Sequence, residues 1–149
     1  MSTYNINIQY PIFVNGDDIT LFAHQQNGEV AERFESFKWW EYRSLQLKLS
    51  GVRTVFSVTC QQTGNKVYFT VLDQSNSGQV EVRMDTNFAI LTPRRELFGL
   101  VTLKVKQNIS FERLTLNQAR TYLHLFLTDK IEAIEAEYKN VSKKLASAA

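Results

Sequence analysis

Hydrophobic and polar residues alternate along the middle of the chain, and this alternation predicts β-strands. Leucine occupies every second position in Leu45–Leu49, and valine, phenylalanine or methionine dominates such positions in three later segments that end near residue 84. Turns at Ser50-Gly51, at Thr63-Gly64 and within 75–78 separate these segments. The pattern therefore predicts a four-stranded antiparallel meander with one apolar face.

The predicted turns also fix a register for this meander. The first turn places Leu45 opposite Phe56, the second places Phe56 opposite Val71, and the third places Val71 opposite Val80. All three turns put the same apolar residues on one face. A slip of one residue would move a strand's side chains to the other face, so this agreement supports the meander.

Further strands are predicted on both sides of the meander. Asn15-Gly16 is a strong hairpin signal, and a turn there places Ile8 opposite Ala23. Residues 88–91 and 97–105 predict two more strands, with Pro93-Arg94-Arg95 as a solvated turn between them.

The segment 29–43 is open to two interpretations. Val30, Phe34 and Phe37 have helical spacing, whereas the aromatic run at 37–42 is rich in strand formers. We favour a strand here.

The end of the chain predicts a helix over 115–146. Thr115 and Gln118 have the spacing of a capping box, and apolar residues then recur at helical intervals. One unbroken helix would be roughly 45 Å long, which overhangs a domain with a radius of gyration near ~15 Å. Either the helix breaks near Asp129, or its distal part, 129–146, is an oligomerisation seam. The heptad-spaced seam residues are Leu127, Ile131, Ile134, Tyr138, Val141 and Leu145.

These elements predict an α+β fold that is mostly antiparallel β. About eight strands would form a curved sheet, sandwich or barrel, followed by one long or broken C-terminal helix. We expect a single domain over 1–149, with its β-rich part at 4–111.

Composition narrows the class of protein. The chain has 149 residues, 17 basic and 15 acidic side chains, and a formal charge of +2, which excludes a histone-like polycation. A single cysteine excludes an internal disulfide framework. No secretory signal and no membrane-spanning apolar run is present. We therefore expect a cytoplasmic protein, or a virion component if the chain is viral.

Catalytic signals are weak, so the sequence predicts neither an enzyme nor a bound metal or cofactor. Asp17-Asp18 follows Asn-Gly and fits an ordinary turn. The two histidines, His24 and His124, form no metal-binding pattern. Cys60 falls on the apolar face of the predicted meander, where cysteine usually packs as a small hydrophobe.

The other face of the meander is the most informative surface. In the predicted register Lys48 lies opposite Arg53, and this like-charge pair is unfavourable unless an anion covers it. Exposed rings that stack on bases, with cations that follow the backbone, are typical of single-stranded nucleic-acid binding. The predicted binding residues are Trp40, Tyr42, Lys48, Arg53, Lys66, Tyr68 and Arg83.

Four interpretations therefore stay open. The first is a non-catalytic protein that binds single-stranded nucleic acid through this face and forms a homo-oligomer through the helix. The second is a viral or phage-type assembly subunit with protein partners. The third is a β-barrel that encloses a small apolar ligand. Alternatively, the remaining strands or the helix cover the face, and Trp40 and Tyr68 are ordinary core residues.

Overall fold

The computed structural model describes residues 2–11, 19–49, 52–96 and 101–148, with side chains described except at 19, 91–96, 101–105 and 142–148. Strands and helices follow one another along the chain in mixed order. They are β1 Tyr4–Gln9, β2 Ile19–Gln25, α1 Asn27–Ser36, α2 Trp39–Leu49, β3 Val55–Cys60, β4 Lys66–Val71, β5 Glu81–Glu96, β6 Val101–Thr115, α3 Leu116–Leu127 and α4 Ile131–Ala148.

The strands form one antiparallel sheet in the order β2-β1-β3-β4-β5-β6. Strand β1 therefore lies between β2 and β3, and the connection from β2 to β3 contains α1 and α2. Alternate residues on each strand share one face of a sheet, and here one face is apolar. Its central row runs across five strands and is buried throughout: Ile8, Phe56, Phe69, Met84 and Phe111.

The helices pack on this apolar face. Phe34 of α1 lies with its ring centroid 5.6 Å from that of Phe56 and 5.4 Å from that of Phe69. Phe126 of α3 lies 5.9 Å from Tyr4 on β1. Such offset and edge-on ring contacts add to the burial of apolar area, so the hydrophobic core lies between the helices and this face.

A buried glutamine attaches α2 to the ends of two strands. The Gln46 Nε2 donates to the Val71 carbonyl (3.0 Å) and to Asp73 Oδ1 (2.5 Å), and its Oε1 accepts from the Thr54 N–H (2.7 Å). Only 2% of Gln46 is exposed. A buried polar group must be hydrogen-bonded to be tolerated, and these partners satisfy the Gln46 amide.

The predicted fold class was wrong in its strand count and in the placement of its helices. The described residues form six strands, where about eight were expected. They also form four helices, and two of these precede β3. The strand order has β2 and β6 at its two ends, so the described strands form an open sheet and not a barrel or a sandwich.

The segment 29–49 belongs to the two helices α1 and α2 and the short link between them, so both strand predictions there were wrong. In α1, Val30 and Phe34 lie on one helical face and are both buried. The alternation in Leu45–Leu49 predicted buried leucines and an exposed glutamine. In α2 the reverse is found, since Leu47 is exposed and Gln46 is buried. Packing of two short helices on the sheet outweighs the strand propensity of their aromatic residues.

The meander register was wrong by two residues, although its apolar face was correct. Phe56 pairs with Phe69 rather than with Val71, and Val71 pairs with Val82 rather than with Val80. The connections are longer than two-residue turns; the loop after Cys60 has Gly64 at φ +76°. A shift of two leaves every side chain on its predicted face.

The N-terminal hairpin was predicted with the wrong register and the wrong face. Ile8 pairs with Thr20 rather than with Ala23, an odd shift that reverses the faces. The turn at Asn15-Gly16 lies outside the described residues.

The sequence predicted two strands, one ending near Met84 and one at 88–91, where the structure has the single strand β5. It continues through Pro93, Arg94 and Arg95 to Glu96, so these residues are not a turn.

The C-terminal helical segment begins where the sequence predicted and is divided in two. The Thr115 Oγ1 accepts from the Gln118 N–H (3.3 Å), and the Thr115 N–H donates to Gln118 Oε1 (2.9 Å), which confirms the capping box. The chain reverses at 128–130, where Asp129 adopts φ +58°. The second helix, α4, therefore turns back to pack against α3 and β6.

A buried carboxylate holds the loop that precedes β5. Glu81 accepts from the Asn76 N–H (2.8 Å) and from Arg113 Nη1 (2.6 Å). The Asn76 N–H and then the Arg113 guanidinium lower the pKa of Glu81 from its ordinary 4.5 to about 2. This carboxylate joins the 72–80 loop to β6.

We expect Phe34→Ala to lower the free energy of unfolding by about 3–5 kcal/mol, because it empties the contact between α1 and the sheet. Trp40→Ala is the matched control, since Trp40 is 57% exposed on the neighbouring helix, and we expect a change within about 0.5 kcal/mol. Urea unfolding followed by circular dichroism measures both. Equal losses would contradict this account of the core.

The lowered pKa of Glu81 predicts that the free energy of unfolding falls in acid. A lowered folded-state pKa stabilises the fold at pH values above the unfolded value and ceases to do so as pH falls towards about 2. The difference in unfolding free energy between wild type and Glu81→Gln should therefore shrink as pH is lowered from neutral. A difference that is independent of pH would contradict the assignment.

Candidate nucleic-acid interface

The face of the sheet opposite the helices is polar. Odd-numbered residues of β1 and β3, even-numbered residues of β4, and Arg83 and Asp85 of β5 point to this face, because strand pairing brings them into register. One row runs across all six strands: Leu21, Asn7, Ser57, Tyr68, Asp85 and Ser110. We call this surface the open face, because the helices pack on its reverse.

The centre of the open face is concave and encloses a volume of about 620 Å³. That volume is within the range of ligand sites in proteins. Most of the side chains that line it carry an amide, hydroxyl or charged group, and Tyr68 is the aromatic one among them. The lining residues are Asn7, Gln9, Val55, Ser57, Lys66, Tyr68, Thr70 and Asp85.

Tyr68 and Lys66 form a cation–π pair at the centre of this concavity. They are two residues apart on β4 and therefore share a face, and the Lys66 Nζ lies 4.6 Å from the Tyr68 ring centroid. Both side chains are half-buried. The ring therefore lines the concavity, with a cation over one of its faces.

Arg83 and Asp85 form a second charged group on the same face. Arg83 Nε lies 3.1 Å from both carboxylate oxygens of Asp85, and the Ser110 hydroxyl donates to Asp85 Oδ1 (2.8 Å). The negative charge of Asp85 thus neutralises the positive charge of Arg83. Among the described residues, Lys66 is the cation on this part of the face that has no carboxylate within ion-pair distance.

The seven predicted binding residues do not lie on one surface. Lys66, Tyr68 and Arg83 are on the open face, because the sequence pattern assigned the side chains of β4 and of the start of β5 to the correct faces of the sheet. Trp40, Tyr42 and Lys48 belong to α2, in the helical layer, because the segment that carries them is not a strand.

The α2 members of the predicted set have separate roles. Trp40 is exposed, with the Arg43 guanidinium 5.5 Å from its ring. Tyr42 packs at 4.9 Å from Phe37 and 5.0 Å from Tyr10, and burial raises its pKa. Lys48 is in the last turn of α2, where a cation interacts favourably with the helix dipole.

The predicted like-charge pair of Lys48 and Arg53 does not form. Arg53 precedes β3 and has a loose ion pair with Asp73 (3.8 Å), with both side chains about half exposed. Its carbonyl accepts from Gln9 Nε2 (3.1 Å), which places Arg53 near one rim of the open face.

Sequence reasoning missed the contribution of β1 to this surface. Asn5, Asn7 and Gln9 alternate with buried Tyr4, Ile6 and Ile8. That alternation was visible, but the position of β1 beside β3 was not, since the residues that pair lie about 50 positions apart. Three amide side chains were therefore left out.

The predicted oligomerisation seam is partly used within the chain itself. Leu127 and Ile134 are buried, Ile131 packs against the core, and Tyr138 lies edge-on to Phe111 at 5.9 Å. Val141 is 38% exposed. The Leu145 side chain lies outside the described set.

Other candidate residues stay apart from one another. Asp17 and Asp18 lie outside the described residues, and elsewhere no three of the His, Cys, Asp and Glu side chains that the structure describes are grouped to hold a metal ion. Burial raises the pKa of the Cys60 thiol, but hydrogen bonds, chiefly from Thr63, outweigh it and lower the pKa overall. In the described ranges no helix is long and apolar enough to cross a membrane.

No known protein family matches this chain, and no curated protein and no solved structure is significantly similar to it. A function must therefore be argued from the geometry of its own residues.

Proposed function

We propose that this protein binds single-stranded nucleic acid on the open face, without catalysis. The observation that carries the proposal is the concave, helix-free surface centred on the Lys66–Tyr68 pair. The sequence offered the alternative that this face is covered by the chain itself, and the helices pack on the opposite face instead.

A base fits the position now shared by Tyr68 and Lys66. Stacking on a protein ring is worth about 1–3 kcal/mol per base and is tolerant of sequence, since every base has a π-face. A base that stacks on Tyr68 displaces the Lys66 ammonium from the ring, which then becomes available to a phosphate. The ring and the cation thus have complementary partners in one nucleotide.

The remaining lining groups suit the edges of bases and the sugar–phosphate backbone. Asn7 supplies an amide that both donates and accepts, and Thr70 supplies a hydroxyl. Arg83 is compensated by Asp85, so the electrostatic part of binding is small. We expect two phosphates at most to be neutralised here, so the salt slope for a single strand should be no steeper than about −1.4.

Substitutions at Tyr68 test this proposal. We expect Tyr68→Ala to weaken binding of a fluorescein-labelled oligothymidylate about five- to a hundredfold, measured by fluorescence anisotropy at low salt. Tyr68→Phe should bind as wild type does, because stacking does not need the hydroxyl. Trp40→Ala is the matched control, since it removes an exposed ring from the helical layer.

Two outcomes would overturn the proposal. One is the absence of single-strand binding by the wild-type chain at low salt. The other is a Tyr68→Ala variant that binds as tightly as wild type while its circular dichroism spectrum and melting temperature show it to be folded.

A second candidate function, an assembly subunit with protein partners, is favoured by α2. Trp40 and Leu47 are seven residues apart on one side of this helix, and they are 57% and 46% exposed. Exposed aromatic and aliphatic side chains are enriched at protein interfaces. The virion, rather than the cytoplasm, would be the location expected under this proposal.

Self-association through α2 is tested by light scattering. If α2 is a homo-oligomeric interface, wild type has a multiple of the 17.2 kDa chain mass, and the double variant Trp40→Ala/Leu47→Glu returns to that mass. A monomeric wild-type protein at high concentration would contradict this interface. The described strands do not close into a barrel, which argues against a β-barrel that encloses a small apolar ligand.

A further inference from the structure

Strands β5 and β6 continue well past the rest of the sheet as a two-stranded ribbon. Strand β4 pairs with β5 only as far as Thr86, whereas Ala89–Glu96 of β5 pairs with Val101–Asn108 of β6. Eight residues of strand span roughly 26 Å at about 3.3 Å each. We call its two described strand segments, 87–96 and 101–108, the ribbon.

The base of the ribbon is fixed to the body of the protein. The Phe88 ring stacks on Phe126 of α3 at 6.4 Å. Ile90 and Ile109 are buried, and the Thr86 hydroxyl donates to the Ile109 carbonyl (2.8 Å). The ribbon therefore leaves the sheet in a defined direction.

Pro93 suits a segment with a neighbour on one side only. Proline has no N–H to donate and is found in edge strands or bulges. Pro93 pairs with Lys104 of β6, and among the described strands β4 ends before this level. Isolated two-stranded hairpins are marginally stable in water, so a long ribbon without a third strand gains from a partner.

The ribbon holds the excess positive charge of the whole chain. Arg94, Arg95, Lys104 and Lys106 are opposed by a single acidic residue, Glu96, which gives the ribbon a formal charge of +3. The chain as a whole has +2, so all other residues together have −1. Lys104 and Lys106 pair with Pro93 and Leu91, so the cations lie on both strands.

We propose that the ribbon binds double-stranded nucleic acid and lies along one of its grooves. The major groove of B-DNA is about 12 Å wide and admits a two-stranded β-ribbon. Duplex DNA has phosphates on both sides of that groove, which match cations on both strands of the ribbon. This site is separate from the open face and takes a different form of nucleic acid.

A second copy of the chain is a weaker candidate for the partner. Binding of a +3 ribbon would favour a strongly acidic surface, but several carboxylates outside it already have cations as partners. These pairs are Glu35 with Arg120, Asp73 with Arg53, and Glu81 with Arg113. The polyanionic duplex provides the charge that the chain's own surface does not.

The test compares two quadruple variants that lose the same charge. The ribbon variant is Arg94→Ala/Arg95→Ala/Lys104→Ala/Lys106→Ala. The control removes four exposed lysines elsewhere, Lys38→Ala/Lys48→Ala/Lys130→Ala/Lys139→Ala. Anisotropy with a fluorescein-labelled duplex of two helical turns, over a series of salt concentrations, gives the affinity and the salt slope of each.

We expect the ribbon variant to bind the duplex at least about a hundredfold more weakly at ~0.1 M salt, with a salt slope smaller by about 3–4. The control should keep most of the wild-type slope. Equal effects of the two variants, or an unchanged slope in the ribbon variant, would overturn the proposal. A ribbon variant that keeps duplex binding but loses mass in light scattering would overturn it in favour of a second copy.

Circular dichroism and thermal unfolding show whether both variants are folded. The same variants are also measured on the oligothymidylate, and Tyr68→Ala is measured on the duplex. Duplex binding that depends on the ribbon and is unaffected by Tyr68→Ala supports this inference even if single strands do not bind. Single-strand binding without duplex binding would support the proposed function of the open face and overturn the inference about the ribbon.

Discussion

The contact between α1 and the centre of the sheet is the constraint on which the rest depends. Phe34 packs against the Phe56–Phe69 pair, so α1 must lie on that face. The helices α3 and α4 cover the remainder of the same face. Once these helices lie on one side, the polar side chains of β1, β3 and β4 are left together on the other.

The face of the sheet on which each side chain lies could largely be predicted from the sequence for β3, β4 and the start of β5. The alternation in β3, β4 and the start of β5 identified Phe56, Val67 and Met84 as core, because an error of two residues in register keeps each side chain on its face. Tyr68 and Arg83 were therefore placed on the correct side.

What could not be predicted depends on contacts distant in sequence. The aromatic residues of α2 resemble a strand locally, whereas in the helix Trp39 packs against Phe34 and Phe56, which are distant from one another in sequence. The insertion of β1 beside β3 likewise has no local signal. These two contacts explain why Trp40 and Tyr42 do not belong to the site and why Asn7 and Gln9 of β1 do.

The hydrogen bonds of Gln46 have a consequence for how the protein unfolds. One side-chain amide joins α2 to the start of β3 through Thr54 and to the end of β4 through Val71. Opening α2 alone would leave buried donors and acceptors unpaired. Fraying of this helix is therefore coupled to loss of the central strand pair, and the two should exchange their amide hydrogens as one cooperative unit.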